Sequence, residues 1–119
     1  MAITRNPRGG GDPLEIARGH GLLLLEDAAH AVGGLWHGRS PGSIGDAGCF
    51  SFYATKSVVT GEGGMVTTDD AELARKVRTY AQHGLSEAVW RRSSGDGYRH
   101  LLASLPGFKF NMTDRKSVV

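Results

Sequence analysis

The sequence predicts an α/β fold built around a sheet with parallel strands, and three observations carry that prediction. A short, wholly apolar run over residues 22–25 suits a strand covered on both faces. A capped helical pattern directly precedes it, as in half of a βαβ unit. Glycine makes up 18 of 119 residues, about twice its usual share. Such a share suits loops whose backbone approaches a ligand.

The helical pattern opens the readable part of the chain. Residues 1–11 have no periodicity and contain three consecutive glycines, so we expect them to be disordered or to retain only a remnant of a strand. Asp12 is a typical N-cap, because proline follows it and glutamate stands three positions later to complete a capping box. The helix is predicted to end near Gly19 or Gly21. The buried strand, Leu22–Glu26, follows.

Residues 33–46 form a turn-rich connection. The segment GGLWHGRSPGSIGD contains five glycines and a proline, and a small hairpin is predicted around Trp36 and Gly38. Two further strands are predicted after it, Ala47–Tyr53 and Gly64–Thr68. The glycines of residues 61–64 give the chain its tight return between them, because glycine tolerates positive φ.

A second helix is predicted from about Asp69 to Gln82. Its start repeats the capping-box pattern, and its apolar residues recur at helical spacing: Leu73, Val77, Tyr80 and Ala81. Gly84 is the predicted C-cap. The following segment, residues 85–100, is polar, basic and irregular, which is typical of an inserted loop.

Composition and charge exclude several classes of protein. The net charge of +2 is too small to indicate binding to nucleic acid or to an anionic membrane. No apolar stretch approaches the length of a membrane span, and residues 1–11 lack the apolar centre of a signal peptide, so we expect a cytoplasmic protein. Cys49 is the single cysteine and lies in an apolar run, which predicts a small buried residue and excludes an intramolecular disulfide.

One amine and one pair of carboxylates stand at the ends of predicted neighbouring strands. The run CFSFYAT delivers Lys56 into a polar loop, and the run LLLL ends on Glu26 and Asp27. A solvated loop lysine and a carboxylate that caps a loop are the simpler interpretations of each residue alone. The histidines, His20, His37, His83 and His100 among them, are too far apart to suggest a metal site.

The two segments together are more specific. LLLLEDAAHAVGG followed by GDAGCFSFYATKSVVTGEGGMVTT resembles the DegT/DnrJ/EryC1/StrS family of sugar aminotransferases, which depend on pyridoxal 5'-phosphate (PLP). The resemblance spans roughly Leu14–Asp114. It implies that residues 12–114 are part of the large, PLP-binding domain of fold type I, a three-layer α/β/α structure truncated at both ends. Residues 115–119, RKSVV, depart from the family pattern, so a truncation or a change of reading frame is expected there.

The resemblance implies a role for the amine and for one carboxylate. Lys56 would hold the aldehyde of the cofactor as an imine and then act as general acid and base, whereas relatives with histidine at this position catalyse dehydration. Asp27 would pair with the pyridine nitrogen and keep it protonated. Glu26 is the competing carboxylate. Because side chains alternate along a strand, only one of the two can face the site, and the family motif selects Asp27.

Four further residues match the family motif. Ala29 would lie under the cofactor ring, His30 near its phenolic oxygen, and Ser51 at its phosphate. Asn111, in PGFKFNMTD, matches an asparagine that reaches the phosphate of the partner subunit's cofactor in a homodimer. Each has a simpler alternative: a small core residue, a structural histidine, a packed serine, and for Asn111 the N-cap of a following helix.

The implied reaction moves an amino group from a donor such as glutamate to a nucleotide-linked keto-sugar, and no metal is implied. Makers of aminated rings belong to the same family, and the residues do not separate these substrates. The rival hypothesis is a catalytically inactive, truncated α/β fragment. We expect the 119-residue chain alone to have little transaminase activity, because part of the phosphate-binding site, the ring-stacking residue and the small domain of the family are absent from it. We also expect poor solubility, because strands made for burial would leave an open sheet edge.

Overall fold

The structure is a computed structural model that describes residues 11–85, 103–110 and 112, together with the backbone of residues 2–3. The chain divides into two compact units, Met1–Ala71 with Met112–Val119, and Glu72–Asn111. The first unit carries the sheet and all but one of the predicted site residues. Asn111, most of the predicted inserted loop and the segment 115–119 lie outside the described residues.

A four-stranded mixed sheet organises the first unit. Its strands are β1 (Ala2–Ile3), β2 (Leu25–Asp27), β3 (Ala47–Ser51) and β4 (Gly64–Thr67), in the spatial order β1-β2-β3-β4. The first three strands are parallel, and β4 runs antiparallel to β3. The α/β class is therefore confirmed, as are the predicted neighbours β2 and β3. The strands are shorter than predicted, and β2 begins at Leu25, three residues later than expected.

Helix α1 (Pro13–Gly19) begins where the sequence predicts. The Asp12 side chain accepts a hydrogen bond of 2.8 Å from the amide of Leu14, and proline occupies the first turn. After the helix the chain turns at Gly21, where φ is +62°, and the Leu22 amide donates to the carbonyl of Ala17. The helix thus leads into the apolar run within a few residues.

The loop that precedes β3 covers one face of the sheet, which we call the back face. This face carries Glu26, Gly48 and Phe50. Gly42 packs so closely on it that a Cβ there would lie 2.6 Å from the Phe50 ring, and a Cβ on Gly48 would collide with the Gly42 backbone. Thr67 Oγ1 ties the same loop down by donating to the Gly42 carbonyl at 2.6 Å.

The opposite face, the front face, carries Leu25, Asp27 and Cys49 and differs from prediction. Leu25 is 40% exposed and Cys49 is exposed, so the expectations of a strand covered on both faces and of a buried cysteine are wrong for the described chain. The reason is the alternation of side chains along β2 and β3. The loop covers the back face, where Glu26 lies, and no described residue covers these front-face side chains to the same degree.

The predicted hairpin within residues 33–46 is confirmed. Trp36 and Arg39 exchange backbone hydrogen bonds of 2.9 and 3.0 Å, so a two-residue turn connects them. The two turn residues, His37 and Gly38, both have positive φ, at 48° and 77°. Positive φ at both positions is the pattern of a type I′ turn, which matches the twist of the flanking strands.

Helix α2 (Ala71–Ala81) lies in the second unit from its second residue onward, as does the segment that pairs with its end. The Gly84 amide donates to the carbonyl of Thr79, as in a Schellman motif, and Gly84 has φ +72°. The first left-handed residue after the helix is nevertheless His83, at φ +57°. Gly84 therefore lies in the left-handed turn that ends the helix, but one residue after its first position, which His83 occupies. The Phe108 carbonyl accepts from the His83 amide at 2.8 Å, and the Phe108 amide donates to Tyr80.

Candidate active site at the carboxyl ends of β2 and β3

The parallel pairing of β2 and β3 brings their carboxyl ends to one edge of the sheet. Asp27, the last residue of β2, stands opposite Cys49. The Ala28 amide continues the pairing by donating to the Cys49 carbonyl at 2.9 Å. The segments that leave the two strands therefore start side by side. In open α/β sheets, ligands bind outside the carboxyl ends of the strands.

The loop that carries Lys56 is closed at its base. The Thr60 amide donates to the carbonyl of Phe52 at 2.9 Å, and Tyr53 forms a bridge with Gly61. A tight turn then places the lysine, because its amide donates to the Tyr53 carbonyl at 2.9 Å. Lys56 thus sits in a short, hydrogen-bonded loop, and its side chain is half-buried.

The amine of Lys56 lies 2.6 Å from Nε2 of His30. An imidazole nitrogen without a proton accepts a hydrogen bond from a lysine amine, so the distance fits Lys56 as donor and His30 as acceptor. The two residues are 26 positions apart in the sequence. This contact joins the EDAAH segment after β2 to the SFYATK segment after β3.

The carboxylate of Asp27 is presented on the front face at the same edge. Its side chain is exposed, and Oδ1 accepts a hydrogen bond of 3.1 Å from the amide of Ala29. This bond closes a small turn that brings the chain from Asp27 to His30. Ala29 is half-buried within that turn. The structure therefore brings Asp27, Ala29, His30 and Lys56 to one edge of the sheet.

Ser51 ends β3, opposite Gly64 of β4. Its hydroxyl accepts a long hydrogen bond, 3.4 Å, from the amide of Tyr53. The serine is half-buried and lies on the face that also carries Cys49. Ser51 is thus hydrogen-bonded to the base of the lysine loop. Asn111, the remaining predicted site residue, lies outside the described residues.

The sequence did not predict that the Glu26 side chain is buried and bound by several backbone amides. It is only 9% exposed, and its carboxylate accepts three backbone hydrogen bonds from Gly42, Ile44 and Gly45 at 2.7 to 2.8 Å. The prediction that Glu26 and Asp27 face opposite sides is confirmed. A glutamate inside an apolar strand pattern, followed by a glycine-rich loop, was the available signal.

Within residues 11–85, 103–110 and 112, neither helix is long and apolar enough to cross a membrane. In the same part of the chain, no three histidine, cysteine or acidic side chains are grouped so that they could hold a metal ion.

Comparison with known sequences defines the class of protein. The sequence profile of the DegT/DnrJ/EryC1/StrS aminotransferase family matches residues 13–119. The chain belongs to this family of sugar aminotransferases, as its motifs predicted.

Particular relatives show how the match is distributed. The chain is 53% identical over 106 residues to the spore coat polysaccharide biosynthesis protein SpsC of Bacillus subtilis (strain 168). The aligned region covers 89% of this chain and 27% of SpsC. It is 41% identical over 109 residues to the GDP-perosamine synthase of Caulobacter vibrioides, with coverage of 91% and 27%. The chain thus spans about a quarter of the length of these relatives.

Solved structures agree with the fold. An aminotransferase from Psychrobacter cryohalolentis superposes with a TM-score of 0.71 at 44% identity, over 83% of this chain and 25% of the other. Spr1654 of Streptococcus pneumoniae, solved in its PLP, PMP and apo forms, gives a TM-score of 0.62 at 32% identity, over 78% and 23%. The family and these structural neighbours are PLP-dependent aminotransferases.

Proposed function

We propose that this chain is part of a PLP-dependent aminotransferase that transfers an amino group to a nucleotide-linked keto-sugar. The observation that carries the proposal is the contact between Lys56 and His30, 2.6 Å between the two nitrogens. It assembles the two family motifs at the carboxyl edge of a parallel strand pair, with Asp27 on the adjoining front face. The name of one relative, GDP-perosamine synthase, supports a sugar carried on a nucleotide.

The donor set at this edge fits PLP. The cofactor requires an amine for its aldehyde, an anion for its pyridine nitrogen and donors for its phosphate. Lys56 supplies the amine, Asp27 supplies an exposed carboxylate, and Ser51 supplies a hydroxyl at the base of the lysine loop. Ala29 offers a small side chain beside Asp27, where a flat ring could approach.

Each residue then has a defined task. When bound, PLP supplies an electron sink that makes a carbon bearing the amino group acidic. Lys56 would hold the cofactor through its amine, and the same amine would serve as the general acid and base that moves a proton. Asp27 holds a proton on the pyridine nitrogen through a charge-assisted hydrogen bond. His30 accepts from the free amine and keeps it at the strand edge.

The proposal extends to the partners and to Asn111. We propose a homodimer in which Asn111 donates its amide to the phosphate bound by the partner subunit, and an amino acid such as glutamate as the donor. A chimera that places this chain within a full-length relative tests the asparagine. Asn111→Ala mixed with Lys56→Ala should restore one active site per mixed dimer, and mixed dimers without activity would contradict the proposal.

The direct test is covalent labelling of the chain with PLP. After PLP addition and borohydride reduction, peptide mapping should find the label on Lys56 well above the exposed Lys76 and Lys109. Lys56→Arg should abolish the preferential label while leaving the other two unchanged. Equal labelling of all the lysines in the wild-type chain would overturn the proposal and favour an inactive α/β fragment.

A further inference from the structure

We propose that Glu26 is a positioning residue for Asp27: its buried carboxylate fixes the facing of β2 and thereby presents Asp27 on the front face. The inference rests on the proposed function for the role of Asp27 toward the cofactor. The orientation itself concerns this chain alone and can be tested without any cofactor.

The hydrogen bonds of Glu26 are numerous for one side chain. Oε1 accepts from the amides of Ile44 and Gly45, at 2.7 and 2.8 Å, and Oε2 accepts from Gly42 at 2.7 Å. A carboxylate that is 9% exposed requires such partners, because an unpaired buried charge is very costly. Glu26 is therefore held on the back face.

The loop that holds Glu26 is itself fixed to the sheet by other bonds. Thr67 Oγ1 donates to the Gly42 carbonyl at 2.6 Å. Asp46 binds the residue before β2 in both directions: its carboxylate accepts from the Leu24 amide at 2.6 Å, and its amide donates to the Leu24 carbonyl at 2.9 Å. Glu26 is thus hydrogen-bonded to a loop that leads directly into β3 and is also bound to β4.

Asp27 needs an external constraint of this kind. Strand β2 has only three residues, and a rotation or slip by one position would exchange the faces of Glu26 and Asp27. The Asp27 side chain is exposed, and the hydrogen bond described for it, 3.1 Å from the Ala29 amide, is local. Either of the two adjacent carboxylates could lie on the front face. The three amides that bind Glu26 on the back face leave Asp27 on the front face.

The competing explanation is that Glu26 only holds the loop together. The test compares Glu26→Gln with Thr67→Val in the full, cofactor-free chain, with Asp27→Ala as the reference for a lost bond. The readout is the exchange rate of the Ala29 amide hydrogen by NMR, since this amide donates to Asp27. Thr67→Val loosens the same loop but leaves the carboxylate of Glu26 intact.

The chemistry of glutamine defines the expected result. Its amide nitrogen cannot accept, so a donor faces a donor at Gly42 or at the Ile44 and Gly45 pair. We expect the Ala29 exchange rate in Glu26→Gln to rise about fivefold, the equivalent of one hydrogen bond, toward the value of Asp27→Ala. In Thr67→Val it should stay within about twofold of the wild type.

If the Gly42 amide hydrogen exchanges faster in Glu26→Gln while the exchange rate of the Ala29 amide is unchanged, the proposal is overturned. Glu26 would then hold only the loop. If Glu26→Gln does not fold, Glu26→Asp replaces it in the test. Aspartate keeps the charge on a shorter side chain, and the exchange rates of the same two amides are compared.

A second readout uses 15N-labelled PLP reduced onto Lys56, where Glu26→Gln should shift the pyridine nitrogen resonance in the same direction as Asp27→Asn. Absence of a Lys56 label would contradict the proposed function alone, because the amide exchange needs no cofactor.

Discussion

The Nζ atom of Lys56 and the Nε2 atom of His30 lie 2.6 Å apart, although the residues belong to loops after two different strands. This distance is that of a direct hydrogen bond between the two side chains. It is possible because β2 and β3 are parallel neighbours whose carboxyl ends meet at one edge. The amine is therefore oriented by a residue of the segment that also carries Asp27.

The first prediction concerns this hydrogen bond. His30→Leu should slow the labelling of Lys56 by PLP and borohydride about fivefold, because the amine loses one oriented hydrogen bond. His30→Gln retains an acceptor and should stay within about twofold of the wild type. Lys76, paired with Glu72 at 2.8 Å, serves as the internal reference. Equal rates in all three proteins would show that His30 does not orient the amine.

The second prediction separates the phosphate from the rest of the cofactor. Ser51→Ala should weaken the retention of PLP about fivefold, because the hydroxyl that we propose as a donor to the phosphate is lost. The same substitution should leave the retention of pyridoxal, which lacks the phosphate, unchanged. Dissociation constants from absorbance titrations with both compounds measure the difference. An equal loss for both would assign Ser51 a packing role at the end of β3.

The third prediction tests the close approach of the loop to the back face. Gly42→Ala should lower the free energy of unfolding by about 2 to 4 kcal/mol, since it combines left-handed strain at φ +84° with a Cβ 2.6 Å from the Phe50 ring. Gly21→Ala is the matched control, because φ is +62° and nothing lies within 4 Å of its Cβ.

Gly21→Ala should therefore show only the backbone cost, about 1 kcal/mol. Urea denaturation of both variants measures the two values, and their difference isolates the steric contact. A difference near zero would mean that the loop can move away from Phe50 without loss.

The fourth prediction concerns the end of α2. His83→Gly should raise the free energy of unfolding of the second unit by about 0.5 to 1 kcal/mol, because glycine adopts φ +57° without strain. The amide of residue 83 still donates to the Phe108 carbonyl, so no hydrogen bond is lost. His83→Ala is the control and should give no gain. A gain from alanine equal to that from glycine would assign the effect to the imidazole instead of the backbone.

Local chemistry in the sequence determined several features by itself. Asp12 followed by proline predicted the start of α1, and the glycines and proline of residues 33–46 predicted the hairpin around Trp36 and Gly38. Each depends on atoms within a few positions, so propensity and capping rules suffice. The order of the motifs around Lys56 was enough to identify the family, which the profile match then confirmed.

Only the tertiary structure decided how the carboxylates and the amine are used. The opposite facing of Glu26 and Asp27 was predictable from alternation, but the three amides that hold Glu26 come from a loop 16 to 19 positions away. The exposure of Cys49 and the pairing of His30 with Lys56 likewise depend on which strands become neighbours and on which face is covered. Apolar character within a strand predicts burial, yet contacts between distant segments determine which side is buried.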